Sequence, residues 1–278
     1  MYKKYLIVAC KQNPAAKNIT TALSQFRENP VVSGMKDAPS FDFYLTEEEV
    51  LYHENLDMNK INSYDFIIFP CTHRSNKGEK SLSVHVSGNW RDNKYGGETN
   101  KVSQASALFQ KQMFEILEKN AKRYELDKDY AITLEVTHHG PTIDKPCAFI
   151  EIGSSQTEWD DRRAGFVIAK TISDTIKSFK PNKYREIAIG IGGPHYCPNF
   201  NKIQLNSNVA LSHIIPNYVS PISEEMIKEA IAKTEEEVDF ALLDWKGLGI
   251  SEERQKIIDL LEKNYISWKK TSDVGKQD

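Results

Sequence analysis

The opening of the chain restricts its fold more than any other stretch. Lys4-Tyr5-Leu6-Ile7-Val8-Ala9-Cys10 is an apolar run of strand length, and after Asn13-Pro14 the residues Ala16, Ile19, Leu23 and Phe26 recur at helical spacing through to Arg27. The run reads as a buried strand, and proline is tolerated in a first helical turn, where its missing N–H has no partner to lose. A buried strand turning into an amphipathic helix begins an α/β fold, in which helices cover a sheet. The rest of the chain keeps that rhythm. Strands are predicted at 41–46, at 64–69 before Pro70, at 81–87, 132–139, 147–153 and 185–191, with a Pro/Gly/Ser loop over 29–40. One helix ends near Tyr124 with Val102, Ala105, Phe109, Met113, Ile116 and Leu117 on its stripe. A second starts from the capping-box pair Ser155 and Glu158 and runs to about Phe179. Ser223 and Ser251, each followed by acids, suit the N-caps of helices over 224–246 and 252–266. The expected architecture is a three-layer α/β/α domain over 1–268 with a mixed central sheet, C-terminal helices and a disordered polar tail, 269–278.

Composition narrows the class. With 278 residues there is enough chain for a sizeable core, and a net charge of −3 excludes a uniformly basic surface. Any nucleic-acid contact must therefore come from a local patch. The cysteines Cys10, Cys71, Cys147 and Cys197 form no CxxC pair, which argues against a zinc finger and gives no disulfide framework. No apolar run is long enough for a membrane span. Reduced thiols without a secretory signal lead to the expectation of a cytoplasmic protein.

Histidines mark the chemistry. Cys71-Thr72-His73-Arg74-Ser75, Val84-His85-Val86-Ser87, Glu135-Val136-Thr137-His138-His139-Gly140-Pro141-Thr142 and Gly190-Ile191-Gly192-Gly193-Pro194-His195-Tyr196 place five of the seven histidines at or just past predicted strands. Working residues of α/β sheets collect at strand ends, so the five read as one site. His53 and His213 read as surface or packing residues. Alternation puts Glu135, Thr137 and His139 on one face of their strand and His138 on the other. Glu151 lies among Phe149, Ile150 and Ile152, and a buried carboxylate there needs a partner. Imidazole and carboxylate are the ligands of a catalytic zinc, whose bound water has a pKa lowered to roughly 7. His73, His85, His139 and His195 are the candidate ligands, with Glu135 or Glu151 as ligand or general base. His138 is expected to orient a ligand, and the Thr137 hydroxyl is a further catalytic candidate.

The stretch 73–101 carries Arg74, Lys77, Lys80, Arg91, Lys94 and Lys101 against Glu79, Asp92 and Glu98, with Trp90 and Tyr95 interleaved. Such a local basic excess beside aromatics can hold phosphates and unpaired bases. Gly192-Gly193 lets the main chain approach a ligand and offers N–H groups to an oxyanion. The segment fails the dinucleotide fingerprint, since His195 stands where the third glycine belongs, and no Walker A or GxSxG sequence is present.

The histidine motifs, together with the Phe149–Trp159 stretch and in this order, resemble the archaeal and plant type of D-aminoacyl-tRNA deacylase over about residues 3–260. Thr72, Arg74, Ser87, Val136 and Pro194 depart from that family's pattern, while the histidines, Glu135 and Glu151 keep it. The resemblance implies hydrolysis of the ester joining a D-amino acid to the 3′ end of tRNA, zinc dependence, a cytoplasmic monomer, and a fold similar to peptidyl-tRNA hydrolase and nucleoside phosphorylases. Arg74, Lys77, Lys80 and Arg91 would then hold tRNA phosphates. Two other classes fit part of the pattern: a metal-dependent amidohydrolase or peptidase acting on a small substrate, and a non-catalytic RNA-binding protein. A backbone mechanism using the Gly192-Gly193 amides and an RNA hydroxyl fits the same motifs without metal.

Overall fold

A computed structural model describes residues 1–27, 39–75, 77–181, 183–184 and 186–275. The loop expected over 29–40 lies almost wholly outside the described residues, as do Asn76, Arg185 and the last three residues of the expected tail.

Strands β1 (Lys4–Cys10), β2 (Ser40–Thr46), β3 (Phe66–Arg74), β4 (Ser81–His85), β5 (Ala131–Leu134) and β6 (Cys147–Ser154) form a mixed six-stranded sheet in the order β2-β1-β3-β6-β4-β5. All neighbours run parallel except β4 and β6, so β4 and β5 point opposite to the other four. Helices α1 (Pro14–Leu23), α3 (Ala107–Arg123) and α5 (Arg162–Ser178) pack together and share a core with Ile68, Leu82, Val84, Ile150 and Ile152 of the sheet. The short α2 (Met58–Asn62) and the segment containing Val50 and Leu56 pack on Ile67, Phe69 and Phe149, in a second core.

Local chemistry sets the helix boundaries. The Asn13 side chain accepts from Ala16 N–H at 3.0 Å, so α1 starts where Pro14 allows it. The helix expected over 155–179 is two. The capping box closes a single turn, α4 (Gln156–Trp159), and Asp161 then caps α5 by accepting from Arg163 N–H at 2.8 Å. Helix α3 begins at Ala107, later than its apolar stripe suggests, because Val102 and Ala105 make isolated strand-like bridges before the Ser106 cap.

The C-terminal third departs further from expectation. Strands β7 (Glu186–Ile191), β8 (Val209–Ile215), β9 (Phe240–Leu243) and β10 (Trp268–Lys270) make a separate four-stranded parallel sheet in the order β10-β9-β7-β8, with α6 (Pro198–Asn206), α7 (Glu224–Ala232) and α8 (Ser251–Lys263) connecting them. The helix expected to reach residue 246 stops at Ala232, and Phe240-Ala-Leu-Leu243 is a strand with every residue buried. A continuous apolar run satisfies either period, so periodicity alone could not separate them. Lys269 and Lys270, expected in the tail, pair with β9 as part of β10.

Candidate active site

The site forms on the face of the first sheet, not along an edge. Cys71, Glu151 and Ser83 are register partners across β3, β6 and β4, so their side chains leave the same face. His73 and His85 lie two residues from Cys71 and Ser83 and share that face. Because β4 runs antiparallel to β6, His73 is level with Gly153 and His85 with Phe149, on either side of Glu151. A Cβ on Gly153 would come within 2.9 Å of the His73 ring, so glycine makes room for that imidazole. Phe149 stacks on His85 with centroids 5.1 Å apart.

The remaining members arrive on the segment after β5. Glu135 N–H still bonds Val84 O (3.0 Å), but Val136 N–H then bonds His195 O (3.0 Å) and Thr137 N–H bonds Ile214 O (3.1 Å). The chain thus crosses from the first sheet to the second within three residues. His139 takes a left-handed backbone (φ +44°) as the chain turns into Gly140-Pro141. Strand alternation ends at Leu134, which overturns the expected division of faces. His138 does not face another layer: its Nε2 is 3.4 Å from Glu135 Oε2. His139 reaches Glu151 instead, with Nε2 3.8 Å from Oε1. Thr137 points away from the cluster; its Oγ1 accepts from Ile214 N–H at 3.1 Å and lies 3.2 Å from His213 Nδ1.

Two buried carboxylates therefore hold five imidazoles around them. Glu135 meets His195 Nε2 at 2.9 Å and His73 Nδ1 at 3.1 Å, besides His138. Glu151 meets His73 Nδ1 and His85 Nε2, both at 3.6 Å, besides His139. The opposite nitrogens are fixed from outside. His138 Nδ1 contacts Val136 O at 2.8 Å, His139 Nδ1 contacts Gly140 O at 2.7 Å, and His85 Nδ1 contacts Val86 O at 3.3 Å. Carbonyls only accept, so these three Nδ1 atoms each carry a proton, and the Nε2 atoms are the ones that face the carboxylates. His195 Nδ1 rests on Tyr218 Oη (3.3 Å) and His73 Nε2 on Tyr196 Oη (2.8 Å). Trp159 Nε1–H donates to His73 O at 3.1 Å, and Trp90 Nε1–H to Thr137 O at 3.0 Å.

Charge follows this geometry. Burial alone would raise both carboxyls, but the surrounding histidines hold Glu135 and Glu151 well below the usual carboxylate range. Burial would lower His73, yet its contacts with Glu135 and Glu151 raise it to about 11. Burial and the neighbouring His85 and His139 push His138 well below its ordinary value, which keeps it neutral. His85 Nε2 is buried and lacks a hydrogen bond, whereas Glu135 Oε1 has His73 Nδ1 at 3.1 Å. Buried carboxylates and imidazoles converging on one space are favourable only with protons or a cation shared between them. Two ligands each about 2 Å from one tetrahedral zinc stand roughly 3.3 Å apart, close to the 2.9–3.8 Å separations found here. His73, Glu135 and His195 form one compact donor triad, and His85, His138 and His139 another, while His85, Glu135 and Glu151 link the two.

The other sequence candidates fall outside the cluster. Arg74 and Lys77 line a cavity bordered by His73 and His195. Lys80 Nζ is 3.5 Å from Glu158. Arg91 donates to the carbonyls of Val219 (2.9 Å) and Pro221 (2.7 Å), which ties its loop to the second sheet. The glycine turn gives a different result from the one expected: Gly192 N–H is committed to Ile215 O at 2.8 Å, so it offers nothing to an oxyanion. Gly192 and Gly193 have φ +100° and +86° and pack closely against Leu248 and Asp244, a conformation and spacing that suit only glycine and that aim His195 at Glu135. Tyr196 could have been found as the neighbour of His195; Tyr218 carries no local signal, because β8 and its following turn bring it back.

Residues 60–269 match the protein family described as D-aminoacyl-tRNA deacylase. A D-aminoacyl-tRNA deacylase of Methanocaldococcus jannaschii is 33% identical over 274 residues, covering 96% of this chain and 99% of the relative. The D-aminoacyl-tRNA deacylase of Pyrococcus furiosus is 41% identical over 209 residues, covering 73% and 74%. A crystal structure of a conserved protein of unknown function has a TM-score of 0.83 and 28% identity, covering 98% of this chain and 96% of that one.

Proposed function

This chain belongs to the D-aminoacyl-tRNA deacylase family, and we propose that it hydrolyses the ester between a D-amino acid and the 3′ end of tRNA with zinc held by the histidine–glutamate cluster. One observation supports the metal most: three imidazoles whose Nδ1 atoms are held by carbonyls turn their Nε2 atoms towards two carboxylates, and these donor atoms gather in groups compact enough to share a cation. The donor set fits two cations, one for each triad, with Glu135 and Glu151 in contact with histidines of both. Bound there, zinc supplies a water of pKa near roughly 7 and a Lewis acid for the ester carbonyl. The chain's own residues do the rest. Carbonyls and tyrosine hydroxyls lock each ring, so the donors are set before substrate arrives. Glu135, 2.9 Å from the part-exposed His195, is the carboxylate placed to take the attacking water's proton. His195, with a third of its side chain exposed, opens the cluster to substrate.

No described helix is long and apolar enough to cross a membrane, and the tRNA substrate fits a cytoplasmic enzyme. The deciding assay is amino-acid release from D-tyrosyl-tRNA and L-tyrosyl-tRNA with and without a chelator. The expected result is D-specific release, lost on chelation and restored by zinc. D-specific release indifferent to the chelator would keep the activity and remove zinc from it. No release from either ester would overturn the deacylase reading.

A further inference from the structure

The histidine cluster is reached from two sides. A cavity of about 560 Å³ borders His73 and His195, and one of about 360 Å³ borders His138 and His139. Both volumes lie in the range of roughly 300–1,000 Å³ common for small-ligand sites. An aminoacyl nucleotide has two parts to place, and the larger cavity carries features that select one of them.

Ser81 lines this cavity at 1% exposure, and its Oγ has no hydrogen-bond partner. It sits over Gly153, where a Cβ would come within 2.5 Å of Ser81 Oγ and 2.9 Å of the His73 ring. The missing side chain leaves a notch between the hydroxyl and the imidazole. An unpartnered buried hydroxyl is costly in isolation and is satisfied by a ligand that both donates and accepts, as a ribose hydroxyl does. At the rim, Arg74 lies over the Trp159 ring at 5.0 Å, which holds the guanidinium in place with its N–H groups free of the described carboxylates. Neither Arg74 nor Lys77 makes an ion pair with a described residue, whereas Lys80 is paired with Glu158 and Arg91, beside the smaller cavity, is spent on two carbonyls. Glu79 is the one acid among the residues lining the larger cavity. The ring of Tyr196 with Pro194 and Pro198 supplies apolar wall of the kind a base face needs.

We infer that the larger cavity is the subsite for the terminal nucleotide of the RNA: Ser81 Oγ takes the ribose hydroxyl beside the ester, and Arg74 with Lys77 takes the backbone phosphate. This rests on the reading of the chain as acting on aminoacyl-tRNA. It leaves the smaller cavity beside His138 and His139 for the amino-acid side chain.

The test is binding of an unacylated, labelled CCA trinucleotide to the full chain by fluorescence anisotropy. Arg74→Gln and Ser81→Ala should each weaken binding by about tenfold, and Arg74→Gln should also flatten the dependence of log affinity on log salt. Tyr95→Ala, at the rim of the smaller cavity, should bind as the unaltered chain does. The trinucleotide with a terminal 2′-deoxyadenosine should lose what Ser81→Ala loses, with no further loss when the two changes are combined. Arg74 is exposed, so its variant tests the rim independently of folding, and a thermal scan checks Ser81→Ala. Wild-type affinity in both variants, loss in Tyr95→Ala alone, or no binding by the unaltered chain would each overturn the assignment. If the trinucleotide binds as expected while D-tyrosyl-tRNA is not hydrolysed, the subsite stands and the deacylase reading falls.

Discussion

At the level of single residues, the site works through what each imidazole does with its second nitrogen. His138, His139 and His85 spend Nδ1 on carbonyls of their own segments, which is possible only because the chain leaves regular strand geometry beside them. His195 instead depends on the Tyr218 hydroxyl. Tyr218→Phe removes that anchor and little else, since the ring is largely exposed. The expected outcome is a loss of about tenfold in zinc affinity and in kcat/KM, measured by competition with a chromophoric chelator and by D-tyrosine release. Unchanged values would make Tyr218 a cover and not an anchor. Glu151→Gln keeps the volume and removes the charge shared by His73, His85 and His139. It should cost on the order of 100-fold or more in activity, together with bound zinc measured by elemental analysis. The sequence identified all five histidines and both glutamates because their motifs are local. It put His138 and Thr137 on the wrong faces because the predicted strand extends alternation five residues past the end of β5.

Among the elements, the two sheets are joined through side chains that no periodicity reports. Glu236, just before β9, accepts from Ser106 Oγ–H (2.5 Å), Ala107 N–H (2.9 Å) and Leu108 N–H (3.3 Å), and so caps α3 from the other sheet. Glu236→Ala should lower stability by about 1–2 kcal/mol in urea denaturation, with the helix still formed. The same helix carries Lys111, whose side chain is fully buried beside Glu115, the Tyr184 ring and the Gln204 carbonyl. Burial pushes its pKa from 10.5 down to about 8, against the pull of Glu115. Between those values the unfolded chain binds a proton that the folded chain has released, so stability rises with pH across that window. Lys111→Met should lack the rise and be the more stable protein below pH 8, as paired urea titrations from pH 7 to pH 10 would measure. A variant that rises with the same slope would assign the effect to another group. The last two strands of the second sheet were illegible for a related reason. β9 is four apolar residues and β10 three half-buried ones, too short for a period to register, and both are defined by their partners.

Across the whole molecule, the cluster is the place where the sheets meet. His73, His85 and Glu151 come from β3, β4 and β6, Glu135, His138 and His139 from the segment after β5, and His195 alone from the second sheet, at the turn after β7. A cation held by His73, Glu135 and His195 would therefore bind across that junction, and a ligand that binds only the folded state stabilises it by mass action. At free zinc of about 100 times its dissociation constant the gain is about 2.7 kcal/mol, which for a chain of this size raises the melting temperature by about 5 °C. His195→Ala should erase most of the response that passes through the second sheet while leaving the triad of His85, His138 and His139 able to bind. The measurement is a thermal scan of the protein and the variant with zinc and after chelation. The unaltered protein should fall by that amount on chelation and the variant by clearly less. Equal falls would mean that binding is confined to the first sheet. No fall in either would mean that the fold does not rely on metal to close the cluster.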